Sequence, residues 1–456
     1  MDWREDYKRK LVSPRDAAKV VKSGDRVFYP VFAAFPKGTL NALIERRGEL
    51  EGVQISSMAM PSPIVDIFSK LEAVEGSEKS IMVHEWFNAH PVPRELWRVG
   101  RADYTPNHFR ECGRLLKDYV LPDVGIIALS RVDEQGFCSF NLANAYTREI
   151  IEAVKKRGGK IIFEINEQLP RIMGDNFVHV SEADYIVEFN TEPATIPDIQ
   201  PRDIDMVIGQ YVADLVEDGS TIQLGIGGQP NAVARLLEGK KHLGVHTEML
   251  VDSFKHLWEI GVITNDRKTL HPGKIVCTFT GGTKDLYRWA DNNQMIECRP
   301  VAYTNDPYVI SQNTRMMAIN SAIMVDLMGQ IASEAIGFRQ FSGTGGQMDF
   351  NRGAFMSPGG KGIIVLDSTG RRNKKYPTQG DGIIGHNDTI SRIVPLMPDG
   401  QVLTAPRTEA HYIVTEHGVA MLKGKSLRQR AQEMINIAHP DFRSELKSMA
   451  KNMQLM

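Results

Sequence analysis

Residues 124–130 read VGIIALS, an unbroken apolar run. A strand with one wet face alternates apolar and polar residues. A run that is apolar throughout is buried on both faces, the habit of a central strand in a parallel sheet. Thr147–Lys156 then carries apolar residues at helical spacing, and Lys160–Ile165 (KIIFEI) is strand-like again. Strand, helix and strand in this order form a crossover unit, and such units build α/β folds with parallel sheets.

The same alternation runs along the whole chain. Ser13-Pro14-Arg15-Asp16 has an N-cap, a first-turn proline and an early acid, so it predicts a helix start. Strands are expected at Arg26–Val31, Gln54–Met58, Ile81–His84 and Tyr185–Phe189, with a helix at Thr39–Arg46. Residues 190–203 (NTEPATIPDIQPRD) hold three prolines and no apolar period, and read as a linker. A second α/β pattern follows: helix Ile204–Glu217, strand Ser220–Leu224, and strands at Lys274–Phe279, Met316–Ala322, Gly362–Leu366 and Tyr412–Thr415. Helix Leu427–Ile437 closes it. The expectation is an α/β protein of two open domains with largely parallel sheets: 1–190, a linker over 191–203, and 204–456. The second domain would carry the candidate nucleophile, and the active site would lie in the cleft between the two.

The 456 residues exceed one ordinary core. Apolar content of 42%, a net charge of −2 and a pI near 6.7 give no electrostatic support to a nucleic-acid or anionic-membrane role. Cys112, Cys138, Cys277 and Cys298 are widely spaced, so neither a metal site nor a disulfide framework is expected. The charged start MDWREDYKRK is not a secretory signal, and no apolar run reaches membrane-span length. A reduced, cytoplasmic protein is expected.

Chemistry concentrates in Gly225–Glu248, GIGGQPNAVARLLEGKKHLGVHTE. After the strand Ser220–Leu224, Gly225, Gly227 and Gly228 leave backbone N–H groups uncovered at the start of a helix. Such a turn can hold a phosphate or a developing oxyanion. The chain then returns to one carboxylate, Glu248, which would suit acyl transfer through a carboxylate nucleophile. Two other readings stay open on this window. A dinucleotide fingerprint would place Glu248 about where a ribose-binding acid belongs, but Pro230 stands where that motif needs Gly or Ala. A plain tight turn would leave Glu248 a surface acid.

A second glycine cluster lies in Phe341–Phe350 (FSGTGGQMDF), and no GKS/T follows to make a P-loop. The stretches GIGGQP, HTEM, QIASEAIGFRQFSGTGGQMDFNRGA and VTEHGVAMLKGKSLRQRAQEMINIAHPDFR now stand together. With DWREDYKRK, Asn166–Pro170 and Asp175–Ser181, they are spread along nearly the whole chain. The chain resembles the acyl-CoA transferases of the 4-hydroxybutyrate and butyrate type, within the acetyl-CoA hydrolase/transferase family.

The resemblance implies two open α/β domains with the site between them, and homodimers or homotetramers. It makes Glu248 the nucleophile and coenzyme A both substrate and covalent intermediate, with small carboxylates as partners and no metal. It assigns Gly225, Ile226, Gly227, Gly228 and Gln229 to CoA binding and oxyanion stabilisation, and Asn320, Gly343 and Gly345 to main-chain contacts with CoA. Arg371–Asp388 looks longer than the family's usual loop. The aromatic segments Phe28–Phe35 and Ile81–Asn88 would shape the acyl side, so substrate identity does not carry over. A hydrolase on the same fold, and a non-catalytic CoA-binding protein, are the alternatives.

Other residues have even or bland readings. His246 could orient Glu248 or simply pack. Asn166 and Gln168 follow a strand's carboxyl end, where ligands gather. Arg371, Arg372, Lys374 and Lys375 could meet CoA phosphates or form a solvated face. Asp349 would bond local backbone, and a cysteine nucleophile lacks a paired histidine motif.

Overall fold

The structure is a computed structural model that describes residues 2–61, 64–71, 80–88, 91–371 and 384–456. Two compact units divide it: Met1–Asp198 with Glu248–Asp252 and Ile275–Thr304, and Ile199–Thr247 with Ser253–Lys274 and Asn305–Met456. The boundary near Asp198 falls within the proline-rich stretch. A single cut there does not describe the chain, however, because Glu248–Asp252 and Ile275–Thr304 belong with the first unit. The reason is backbone pairing. Met249–Leu250 pairs in parallel with Phe279–Thr280, and Ala145 N and Thr280 N donate to Thr278 O and Leu142 O.

The first unit is built on a seven-stranded sheet. Its strands are β1 Arg26–Phe28, β2 Val53–Ser57, β3 Ile81–Glu85, β4 Ala102–Tyr104, β5 Val124–Leu129, β6 Lys160–Ile165 and β7 Tyr185–Glu188, in the order β4-β3-β2-β1-β5-β6-β7. Every pairing is parallel. Every residue of β5 is buried, as its composition demands. Helix α1 (Lys37–Glu45) follows β1, and α2 (Thr147–Arg157) follows β5. Gly125 lets α2 approach, since a Cβ there would stand 2.9 Å from Ile150 Cγ2. Helix α2 ends at Gly158, φ +77°, with Lys155, Lys156 and Arg157 in the last turn where its dipole favours cations. The chain reverses direction across the sheet between β1 and β5, and ligands gather in the crevice beyond strand ends at such a switch.

The second unit has a six-stranded sheet. Its strands are β8 Thr221–Leu224, β9 Gly244–Val245, β10 Met316–Ser321, β11 Lys361–Val365, β12 Tyr412–Thr415 and β13 Gly418–Met421, in the order β9-β8-β10-β11-β12-β13. Only the last pair is antiparallel. Its switch lies between β8 and β10. Helix α3 (Asp203–Leu215) precedes β8, α4 (Gly228–Leu236) follows it, and α5 (Gln347–Met356) precedes β11. Helices α6 (Leu427–Asn436) and α7 (Pro440–Asn452) bury Met434, Ile435, Phe442 and Leu446 in a core with Ile364 and Ile413. The Ser426 side chain caps α6.

Several element boundaries lie near those expected, but the strand expected at Lys274–Phe279 is two short strands of the first unit, Ile275–Cys277 and Phe279–Thr280, which pair with different partners. Ser13 caps the helix Pro14–Ala18 by accepting from Asp16 N, as read. β1 stops at Phe28, short of the expected Val31; Pro30 lies in the expected span and has no N–H to extend the ladder.

Glu164, on β6, is wholly buried and accepts from Gly38 N, Thr39 N and Thr39 Oγ1 at 3.0, 2.7 and 2.7 Å, so it ties the sheet to the first turn of α1. Burial outweighs these three donors and pushes its carboxyl from 4.5 up to about 7. Between those values the folded protein keeps a proton that the unfolded chain has lost. This group's contribution to stability is therefore full below pH 4.5 and falls as pH rises towards 7. Melting temperatures measured from pH 5 to 8 should drop for the wild type relative to Glu164→Gln. A constant difference across that range would contradict the shift.

Candidate active site

In the second unit the predicted loop forms as a strand–turn–helix. Gly227 takes φ +115° and ψ −177°, a conformation essentially confined to glycine, and serves as N-cap of α4 with no side chain over the helix end. Gly225 and Gly228 are half-buried and Ile226 is exposed. Pro230 falls in the first turn of α4, as its missing N–H permits.

Gln229 is held from two sides. Its Nε2 donates to Asp367 Oδ1 at 2.9 Å, and its Oε1 accepts from Ser321 Oγ at 3.3 Å. Asp367 just follows β11 and Ser321 ends β10, so the carboxyl ends of three neighbouring strands converge on this amide. Arg202 reaches Asp367 at 3.1 Å and grips Asp205 with Nε and Nη2 at 2.9 and 2.6 Å. Burial acts to raise the Asp205 carboxyl, but the Arg202 hydrogen bonds overcome it and hold it below the usual range. Asn320 pairs amide to amide with Gln223 of β8, at 3.1 and 3.4 Å across the switch.

The second glycine loop belongs to the same unit. Gly345 has φ +54°, and Gly343 and Gly345 are buried. Glu334 organises this loop: its carbonyl accepts from Phe341 N and Ser342 N, and its Oε2 from Gln340 Nε2 and Thr344 Oγ1. Thr344 is therefore engaged rather than turned idly outward. Sequence reasoning passed over Glu334 and Asp367, since a lone acid in a loop carries no pattern.

Glu248 lies in the first unit, half-buried at a bend directly before Met249–Leu250. Its carbonyl accepts from Thr278 N at 3.0 Å and Phe279 N at 3.2 Å, which fixes the backbone beneath the carboxylate. His246, two residues earlier, is buried in the second unit with its ring 6.2 Å from that of Phe350.

Of the other candidates, Asn166 is a structural clamp. It donates to Thr191 O at 2.7 Å and accepts from Gln168 N and Thr191 N. Gln168 lines a cavity of about 310 Å³ in the first unit, with Arg131, Lys284, Tyr287 and Arg288. Asp349 is buried in the first turn of α5. Arg371 is exposed at the end of a short strand, whereas Arg372, Lys374 and Lys375 fall outside the described residues. All four cysteines are buried free thiols. Burial raises the Cys298 thiol well above its usual range and Cys138 to about 12, so neither offers the thiolate a nucleophile needs. Among the described residues no group of three or more His, Cys, Asp or Glu could hold a metal ion, and no helix is long and apolar enough to cross a membrane.

The acetyl-CoA hydrolase/transferase N-terminal domain profile matches residues 1–197, and the C-terminal domain profile of the same family matches 282–450. Glu248 and the first glycine loop lie between the two matched stretches. The chain is 42% identical over 452 residues to the 4-hydroxybutyrate coenzyme A transferase of Clostridium kluyveri, covering 99% of each. It is 44% identical over 453 residues to the succinyl-CoA:cyclohexane-1-carboxylate CoA transferase of Geobacter metallireducens, covering 99% of this chain and 97% of that one. The crystal structure of RipA from Yersinia pestis matches with a TM-score of 0.88 at 33% identity, covering 100% of both chains. An acetyl-CoA hydrolase of Saccharomyces cerevisiae is more distant, 31% identical over 51% of this chain and 40% of its own.

The glycine loop is sterically tuned. A Cβ on Gly228 would stand 2.6 Å from Asp205 Oδ2, inside the Arg202 grip, whereas one on Gly239 would meet nothing within 4 Å. Gly228→Ala should cost about 1–3 kcal/mol, and Gly239→Ala should be near neutral. Urea denaturation of both variants checks this, and equal stabilities would refute it.

Proposed function

The chain belongs to the acetyl-CoA hydrolase/transferase family and is a CoA transferase; we propose that it exchanges CoA between a short-chain acyl-CoA and a free carboxylate through Glu248. The observation that carries this reading is the seat of Glu248, a half-buried carboxylate on a backbone pinned by two N–H groups. Full-length relatives named as CoA transferases support transfer over hydrolysis, because the hydrolase relative matches only half of the chain.

The reaction needs no ATP, since each side holds one thioester and one acid. The Glu248 carboxylate attacks the acyl-CoA carbonyl, and the C–S bond breaks to leave a mixed acyl–glutamyl anhydride and CoA thiolate. The thiolate attacks the glutamyl carbonyl, giving a glutamyl–CoA thioester and releasing the first acid. The second acid reverses both steps. Each attack raises an oxyanion. In this reading the backbone N–H groups of Gly225, Ile226, Gly227, Gly228 and Gln229 serve CoA and that charge, a donor contributing about 3 kcal/mol. Gly343, Gly345 and Asn320 hold CoA by main-chain contacts. Water must be excluded, because anhydride and thioester both hydrolyse. The relatives' names point to acids such as 4-hydroxybutyrate and cyclohexane-1-carboxylate. A homodimer or homotetramer working in the cytoplasm on small molecules, without nucleic acid, membrane or metal, completes the proposal.

Glu248→Ala should abolish transfer while preserving the melting temperature. Acyl-CoA alone should load wild-type enzyme with CoA as a thioester. Borohydride should then inactivate it, with the modification in the peptide spanning residue 248. Near-normal turnover by folded Glu248→Ala, or label on a cysteine instead, would remove the mechanism. Gly345→Val, which forces a β-branched residue to φ +54°, should weaken CoA binding more than it lowers the melting temperature. Unfolding with normal CoA binding by the residual folded fraction would make that loop purely structural.

A further inference from the structure

Three neighbouring parallel strands of the first unit end around one cavity. Arg131 follows β5, Glu167 and Gln168 follow β6, and Glu192 follows β7. With the helix Lys284–Ala290 they line a space of about 310 Å³. Ligands of open parallel sheets gather beyond the carboxyl ends of strands, and a volume of this order suits a small molecule. Neither Glu248 nor a residue of either glycine loop lines it.

The charges of the lining balance, but they do not all pair. Arg131, Lys284 and Arg288 face Glu167, Glu192 and Asp291. Arg131 Nη1 and Nη2 donate to the two oxygens of Asp291 at 3.5 and 3.3 Å, and Lys284 Nζ donates to Glu192 Oε1 at 2.6 Å. One charge of each sign is left over. Arg288 spends only Nε, on the Lys284 carbonyl at 3.3 Å, and its Nη groups have no partner among the described residues. Nor do the Glu167 carboxylate and the Gln168 side-chain amide. The rest of the lining is apolar. Leu169, Pro170 and Pro193 contribute to it, and Tyr287 offers its ring, because its hydroxyl is already spent on Ala194 O and Gly282 N.

We propose that this cavity is an effector site for a small zwitterion, an α-amino acid with an apolar side chain. The Arg288 fork takes the carboxylate, Glu167 takes the ammonium, and the side chain lies against Leu169, Pro170, Pro193 and the Tyr287 ring. A guanidinium fork matches a carboxylate in shape and charge, and apolar surface removed from water adds to binding. A simple anion would leave Glu167 unpaired and a simple cation would leave Arg288 unpaired. An amino acid is neither the acyl-CoA nor the acceptor acid of the transfer reaction, so the site stands whether or not the transferase reading holds.

The test is calorimetric titration of the full-length protein with leucine, and with two analogues that each lack one charge: 4-methylvalerate, without the ammonium, and isoamylamine, without the carboxylate. Leucine has about nine non-hydrogen atoms and should bind with a Kd of about 1 mM or tighter. Each analogue should bind about tenfold or more weakly, the loss expected when a charged hydrogen-bonding group is left unpaired. Arg288 and Glu167 are exposed, so Arg288→Gln and Glu167→Gln should fold normally. Each should weaken leucine about tenfold, and Arg288→Gln should close the gap between leucine and isoamylamine. Absence of leucine binding to the wild type overturns the assignment, as does leucine binding that is unchanged in both folded variants. So does 4-methylvalerate bound as tightly as leucine and as sensitive to Arg288→Gln. Leucine displaced by butyrate and indifferent to Arg288→Gln would place the amino acid at the acceptor-acid site instead, and remove the effector site.

Discussion

The Glu248 carbonyl takes the N–H groups of Thr278 and Phe279, and the placement of this proposed nucleophile depends on that double hydrogen bond. The segment 278–280 is itself clamped on its other edge. Ala145 N donates to Thr278 O, Thr280 N to Leu142 O, and Ala143 bridges Phe279. Asn141, in the left-handed region at φ +50°, fastens that loop to the Ala128 carbonyl of β5 at 2.9 Å. A central buried strand therefore sets where the Glu248 backbone stands, through two layers of backbone pairing and one side-chain hydrogen bond. Backbone hydrogen bonds are directional and costly to leave unmade when buried. Such a seat would suit the covalent role proposed for Glu248.

In the second unit side chains, rather than backbone, do the organising. Asp367 receives Arg202 and Gln229, and Arg202 also neutralises Asp205 beneath Gly228. An arginine shared between two carboxylates can hold a loop and a helix start in fixed relation through its planar fork. The glycine loop thus keeps its N–H groups oriented without a capping side chain that would cover them. Glu334 does the equivalent for the second loop.

Buried carboxyls in the first unit behave differently. Glu85, ending β3, is almost fully buried, and neither oxygen has a hydrogen-bond partner at normal geometry; the donors that act on it are the N–H groups of Phe87 and Ala59. Burial holds its carboxyl well above the usual range, with the buried phenols Tyr29 and Tyr146 as neighbours. Glu164, with three donors, is raised less far. The contrast follows from desolvation, which hydrogen bonds from N–H and O–H groups offset in part.

By itself the sequence determined the elements and their class. Uninterrupted apolar runs such as 124–130, the Ser13 cap and the Gly225–Gly228 turn are local signals, because burial on both faces, an N-terminal hydrogen bond and positive φ each leave a residue preference at the spot. The family resemblance likewise rested on contiguous motifs. Tertiary structure alone decided which unit Glu248 joins, since the two-residue strands 249–250 and 279–280 are too short to show any period. It also decided that Asn166 is a clamp, that Glu334 and Asp367 govern the glycine loops, and that Phe32 meets Met249 and Gly281. Each of these depends on partners brought together from distant parts of the chain, and a lone Asn, Glu or Phe carries no mark of a partner that arrives only with the fold.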